Sequence, residues 1–287
     1  MATKSLSKLK SEMLFNADLT RLVDAMKGVA AAQYFTMEKK KSNLGITGKA
    51  LEELFESYDF RRSHHPFVRL ANPKRYIVLI TTDSGFMGGL NMKVINAGLR
   101  LETEGARFLV LGERGVNSIK EFGKQVDFLP GINPDDSRFE LQDTLISKMI
   151  HAVAQEGFGQ VILVAPRVLS FTVQRVENWN LIPCPFFFKN KPEFVPTQKM
   201  QENAVILEST AGGIIENLVV LWLRKHLTEI FEDAKLAEFG ARTMHLEESF
   251  QTLTKIDKQL KLQFFKARRE KIDQSLRESF TAQLMRE

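Results

Sequence analysis

The chain has 287 residues, 44% of them apolar and 26% charged, with a net charge of +5, a mild basic excess. These are the proportions of an ordinary soluble protein long enough to bury a sizeable core. A single cysteine, Cys184, excludes an intramolecular disulfide. No apolar run approaches the roughly 18 residues that a bilayer span needs, and the opening MATKSLSKLKSEML lacks the apolar stretch of a secretory signal.

Proline gives the coarse plan. All nine prolines lie between Pro66 and Pro196. Proline in a helix interior costs about 3 kcal/mol, so two proline-free flanks predict two long helices enclosing an insertion. The expected divisions are an N-terminal helix over residues 1–65, an α/β domain over 66–208 and a C-terminal helix over 209–287.

In the first flank, Leu6, Leu9 and Met13, then Leu19, Leu22, Met26 and Val29, step mainly by three and four. That spacing predicts an apolar stripe on a helix over roughly residues 3–60, about 85 Å long. The run Gly28-Val29-Ala30-Ala31-Ala32 is small enough to let a second backbone approach.

The middle has a different rhythm. Tyr76–Thr81 reads as a strand, Asn91–Thr103 as a helix, Arg107–Leu111 as a strand and Gly115–Phe122 as a short helix. Leu141–Gln155 reads as an amphipathic helix and Gln160–Val164 as a strand. Such alternation implies a small α/β domain with a mainly parallel sheet. Ser170–Thr197, rich in aromatics and proline, is expected to be irregular or edge structure.

In the last flank, Leu246, Leu253, Ile256, Leu260, Phe264 and Ala267 mark a seam on a helix from near Ala211 to Leu284. At roughly 110 Å, such a helix suits a coiled coil better than a globular core. The two flanks are joined at one end by the middle, so antiparallel pairing is expected.

Candidate chemistry is sparse. Thr82–Asn91 (TDSGFMGGLN) follows a strand and carries Gly85, Gly88 and Gly89. A phosphate loop needs G-x-x-x-x-G-K-[ST], and a dinucleotide fingerprint needs G-x-G-x-x-G. Neither spacing is met, so the pattern predicts a structural turn in which Asp83, Gly85, Gly88 and Gly89 shape a crossover. His64 and His65 stand beside Arg61 and Arg62 with no further ligand at metal spacing. His151, His226 and His245 occur singly, and Cys184 has no neighbouring base. No nucleophile, base and orienting group can be assembled. The chain is expected to hold no catalytic site, cofactor or metal. One charged stretch stands out: from Lys255 to Lys271, seven cations face only Asp257 and Glu270, and the surplus of +5 equals that of the whole chain. Only Phe264 and Phe265 accompany these cations, a poor nucleic-acid signature.

Three segments then carry a family resemblance. Asp24-Ala25-Met26-Lys27-Gly28-Val29-Ala30-Ala31 is similar to K-A-M-x-M-V-A-A, departing at Asp24 and Gly28. Thr82–Asn91 is similar to S-D-R-G-L-C-G-G-L-N, with Ser84 and Met87 replacing arginine and cysteine. Ala237–Thr243 and Ala267–Leu276 answer S-E-x-A-A-R-M and A-R-Q-A-x-I-T-Q-E-L, with Arg269 and Asp273 replacing glutamine and threonine. In order and spacing the chain resembles a divergent γ subunit of F-type ATP synthases.

The resemblance implies a long antiparallel coiled coil of N- and C-terminal helices carrying an inserted Rossmann-like α/β domain. It implies a central-stalk rotor, one copy per complex, coupling ion flow to ATP synthesis or hydrolysis in an α3β3 hexamer. An alternative is the shaft of a paralogous complex that does not synthesise ATP. Implied contacts to β subunits are Met26, Lys27, Arg268, Arg269 and Gln274; Glu238 and Arg242 would meet an ε-type subunit or the c ring. No nucleic acid is implied. The implied location is peripheral, on the cytoplasmic face of a bacterial inner membrane.

Overall fold

The computed structural model describes residues 5–41, 65–70, 72–133, 135–184 and 210–284. The first helix, α1 (Leu6–Lys41), begins near its expected start. The rest of that expected helix, with Arg61, Arg62 and His64, lies outside the described residues, as do residues 185–197. The last helix, α5 (Ala211–Leu284), is continuous over 74 residues. Two compact units result: one holds Met1–Ala32 with Arg242–Glu287, the other Gln33–Ala241. The inner ends of both long helices thus belong with the α/β domain.

The Gln33–Ala241 unit is built on β1 (Arg75–Ile80), α2 (Leu90–Leu99), β2 (Arg107–Leu111) and α3 (Glu113–Glu121). After these come β3 (Val126–Leu129), α4 (Ser137–Ala154), β4 (Gln160–Val168) and β5 (Gln174–Ile182). The sheet order is β3-β2-β1-β4-β5, with β5 alone antiparallel. The strands at its centre read as unbroken apolar runs because both faces are covered. Ile77, Leu79, Phe108, Val110 and Val164 face one way, onto Val94, Ile95, Val116 and Ile119 of α2 and α3. Val78, Ile80, Leu109, Leu111 and Leu163 face the other way, onto Leu145 and Met149 of α4 and Val219, Leu223, Leu227 and Phe231 of α5. A buried Gln142 side chain on α4 donates to the Arg224 carbonyl and, at 3.1 Å, to Thr228 Oγ1, fixing α4 on α5.

Two edge strands complete the sheet, one unexpected and one within the stretch expected to be irregular or edge structure. β3 was not foreseen: it is a four-residue edge strand with one buried side chain, too short for a periodic signal. The stretch after Ser170 contains a regular edge strand, β5, whose Glu177, Asn178 and Asn180 mask its strand character. Pro166 sits inside β4 without cost. The Leu169 N–H bonds Val173 on the β5 side, so alternation turns the Pro166 nitrogen away from β5. On that other side, β1 has already made its last pair with β4 at Leu79–Val164.

The other unit is a helix pair. Leu9, Asn16, Val23 and Ala30 are its buried positions on α1, spaced by seven. On α5, Leu246 is buried, and Leu253, Leu260 and Ala267 follow half-buried at the same interval. Asn16 bonds Leu253 and Lys27 pairs with Glu247, so rising numbers on α1 meet falling numbers on α5. The pair is antiparallel with a seven-residue seam, as coiled coils require. The expected stripe holds at Leu9, with Leu6, Met13, Leu19 and Met26 half-buried, and is corrected at two positions: Leu22 and Val29 are 57% and 58% exposed, while Val23 and Ala30 take the seam.

Candidate functional site

The glycine loop is built as a turn. Gly88 and Gly89 adopt φ of 53° and 84°, the left-handed region in which glycine is unstrained, and Gly89 opens α2. Asn91 Nδ2 donates to Thr82 Oγ1 at 3.0 Å, and Thr82 Oγ1 donates to the Ser84 carbonyl at 2.9 Å, closing the loop on itself. Asp83 reaches away from the loop. Its Oδ1 accepts from the Glu113 N–H at 2.8 Å and its Oδ2 from the Gly131 N–H at 2.9 Å. One carboxylate therefore caps the first turn of α3 and holds the segment after β3. A Cβ on Gly131 would stand 2.5 Å from Asp83 Oδ2, so that position is kept clear for the latch. Gly85 needs no special conformation and lies near Arg114.

In open α/β sheets, ligands favour the carboxyl ends of strands where the strand order reverses, here between β1 and β4. The loop after β1 stands at that place, yet its Met87 and Leu90 pack on Val176 of β5 and Ala241 of α5. The Met87 replacement thus has a physical account: a long apolar side chain fills the step from loop to helix. The same level of α5 is gripped a second time. Phe171, in the β4–β5 turn, lies edge-on to Tyr34 at 4.8 Å and stacks on Phe35 at 5.4 Å. It packs with Leu236 and Phe239 of α5. Gly240 lets this happen, because a Cβ there would come within 2.9 Å of the Phe171 carbonyl and of Gln174 Nε2. Arg167 joins the hairpin to the helix below, 3.0 Å from Glu177 and 3.6 Å from Asp233. Sequence reasoning missed Phe171 and Tyr34, whose partners lie far away along the chain.

Other residues singled out in the sequence are accounted for one by one. His65 stands 3.6 Å from Glu216 and edge-on to Phe67. Cys184 is buried, its N–H bonded to the Phe67 carbonyl. Among the described residues, no three His, Cys, Asp or Glu side chains stand together as a metal site. Glu238 is buried and accepts from Lys235 Nζ at 2.8 Å, so its carboxylate is committed inside the unit.

In the helix-pair unit, Met26 is half-buried at the seam. Lys27 Nζ lies 2.9 Å from Asp24, 3.1 Å from Glu247 and 4.4 Å from the Phe250 ring centre. Hydrogen bonds to Asp24 and then to Glu247 hold the Lys27 ammonium above its ordinary pKa. The Asp24 replacement thus supplies a carboxylate that Lys27 uses. Arg242 is half-buried. Beyond Ala267 every side chain through Thr281 is exposed. There Arg268 and Arg269 are exposed and have no ion partner among the described residues, and Gln274 donates to Glu278 Oε1 at 2.9 Å. Leu262, Phe265, Ile272, Leu276 and Phe280 are exposed among these cations. This part of α5 is therefore an exposed surface that is both apolar and cationic.

Comparison with known proteins gives this arrangement a family. A family model described as ATP synthase matches residues 5–281. The chain belongs to the ATP synthase γ family. Among relatives, the ATP synthase gamma chain of Streptococcus sanguinis is 24% identical, over 96% of each chain. That of Streptococcus pneumoniae is 22% identical over the same shares. Among solved structures, the rotor of the Euglena gracilis mitochondrial ATP synthase superposes with a TM-score of 0.70. It is 15% identical, covering 93% of this chain and 98% of that one. The likeness in fold extends to the central stalk and c-ring structure of the Tetrahymena thermophila mitochondrial enzyme, with a TM-score of 0.60 at 16% identity over 79% and 99%. The γ-family chain is a non-catalytic subunit.

Proposed function

We propose that this γ-family chain is the central-stalk rotor of an F-type ATP synthase or ATPase, present as one copy within an α3β3 hexamer. The observation that carries the reading is the stretch of α5 from Arg268 to Thr281, where every side chain is exposed among the described residues. A helix with exposed Leu276 and Phe280 beside Arg268 and Arg269 suits a sleeve that is apolar within and acidic at its rim. Arg268, Arg269 and Gln274 face the β subunits. Lys27 and Glu238, already paired within the chain, act by holding their helices in place. The α/β domain meets an ε-type subunit and the c ring on the membrane side, and the complex is peripheral to a bacterial inner membrane. Ion flow turns the stalk, and its asymmetric surface drives three otherwise equivalent nucleotide sites through states of different affinity. ATP hydrolysis reverses the cycle.

Native mass spectrometry of the complex purified from its own organism tests this. The expected species contains three α subunits, three β subunits and one copy of this chain. Recovery of the chain alone or as a homodimer would overturn the rotor reading.

A further inference from the structure

We infer that the β4–β5 turn is the clamp through which rotation passes between the α/β domain and the helix pair, with Phe171 as its positioning residue. The inference rests on the rotor reading and assigns one residue a part in it. The chain crosses between the two compact units at Ala32–Gln33 within α1 and at Ala241–Arg242 within α5. Rotation that follows the chain crosses at these two points. It passes in full only if both helices turn with the α/β domain. Packed helices slide on one another readily, and a helix held alone turns that freedom into slack. A grip on both at once removes it.

Phe171 makes this double grip just inside the crossings. Its ring lies edge-on to Tyr34 and stacks on Phe35, and those two rings stand at 87° to each other. The ring thus sits in a corner formed by α1, where movement either way around that helix meets an aromatic face or edge. The Phe171 carbonyl lies against α5, where Gly240 has no Cβ to hold it off. The turn itself is pinned. The Leu169 and Ser170 N–H groups bond the Val173 carbonyl at 3.0 and 3.1 Å, and Gln174 Nε2 donates to the Phe171 carbonyl at 3.0 Å. Arg167, on β4, adds a second tie to α5 through Asp233. Met87 and Leu90 pack on Ala241 of α5 at the same level, and Phe171 brings in α1.

The test uses the assembled complex, held by its α3β3 part, with a bead on the α/β domain. The bead is attached through Glu104→Cys in the exposed α2–β2 turn; the native Cys184 is buried. With hydrolysis stalled by a non-hydrolysable ATP analogue, the angular spread of the bead is recorded. Phe171→Ala should raise its variance about twofold, as for the loss of one of two comparable ties, Arg167 being the other. Phe171→Leu keeps apolar bulk without the ring, and should widen the spread even where Phe171→Ala does not assemble. Met149→Ala, which opens a cavity in the core of the same domain, should destabilise the chain and leave the spread at the parental value. Parental spread in Phe171→Leu overturns the clamp, as does equal widening in Met149→Ala. A parent that forms no complex of three α, three β and one copy of this chain overturns the rotor reading, and the clamp with it.

Discussion

Lys27 Nζ lies 3.1 Å from Glu247 Oε2, joining α1 to α5 in the helix pair. Glu247 accepts from Gln251 and then from Lys27, and both hold its carboxyl below the ordinary 4.5. A lowered carboxyl pKa means that its contribution to stability is present above the ordinary value and lost as pH falls through the lowered one. The expected outcome is that Glu247→Gln flattens the fall of the unfolding midpoint on acidification from pH ~6 to ~3. Parallel midpoint curves for parent and variant would discard the assignment.

Asp83 adds a side-chain latch between Glu113 and Gly131, just past the end of the β2–β3 pairing, so Asp83→Ala should cost about 1–2 kcal/mol in chemical denaturation. Isothermal titration should meanwhile show no saturable ATP binding to the parent chain. Saturable binding lost in the variant would reverse the reading of the loop.

Two glycines should respond in opposite senses. Gly28 lies in an exposed helix with open space around it, and Gly28→Ala should stabilise by about 0.5–1 kcal/mol. Gly240→Ala meets the Phe171 carbonyl and should destabilise by about 1–3 kcal/mol. Equal effects in urea titrations would mean that the hairpin does not grip α5.

Burial, then the nearby Asp127, pushes the Tyr76 hydroxyl well above its ordinary pKa of 10.0. The folded chain therefore keeps a proton that the unfolded chain releases, and stability falls as pH rises past that ordinary value. Tyr76→Phe should remove this part of the alkaline loss, as read from midpoints between pH ~9 and ~12. If both proteins lose stability equally over that range, the hydroxyl is not the group responsible.

Reversing charge at Arg268 and Arg269 to Glu should leave the circular dichroism and midpoint of the chain unchanged, because both side chains are exposed and neither guanidinium has an ion partner among the described residues. In the assembled complex, ATP-driven ion pumping should fall several-fold relative to hydrolysis. Pumping and hydrolysis that keep their ratio would remove these residues from the β contact.

Much of the fold could be read from the sequence because its signals are long. Proline-free flanks, seam residues and the runs Tyr76–Ile80, Arg107–Leu111 and Gln160–Val164 each integrate many side chains. β3 was hidden, and β5 was legible only as irregular or edge structure, because edge strands bury little and tolerate polar residues. The misplacement of Leu22 and Val29 on α1 has another cause. Apolar residues such as Leu22 and Val29 also cover its outer face, so steps of three and four fit two stripes. Only the strict seven-residue spacing of Leu9, Asn16, Val23 and Ala30 separates them. At the glycine loop, the mismatch to phosphate motifs points to a turn, and the backbone bends there with Gly88 and Gly89 at positive φ. What the turn holds was not legible, since Gly131 and Ala241 lie far from Asp83 and Met87 in the sequence.

That same seven-residue spacing has a mechanical consequence. A straight α-helix repeats every 3.6 residues, so helices that keep a seven-residue seam in contact wind around each other with a left hand. A left-handed two-stranded cable answers twist unequally: one sense winds the strands onto each other, and the other pries them apart. As synthesis and hydrolysis turn a rotor in opposite directions, this helix pair should be torsionally stiffer in one direction of work than in the other. Single-molecule torque measurements in both directions would read the difference, and equal stiffness would show that the winding bears no load.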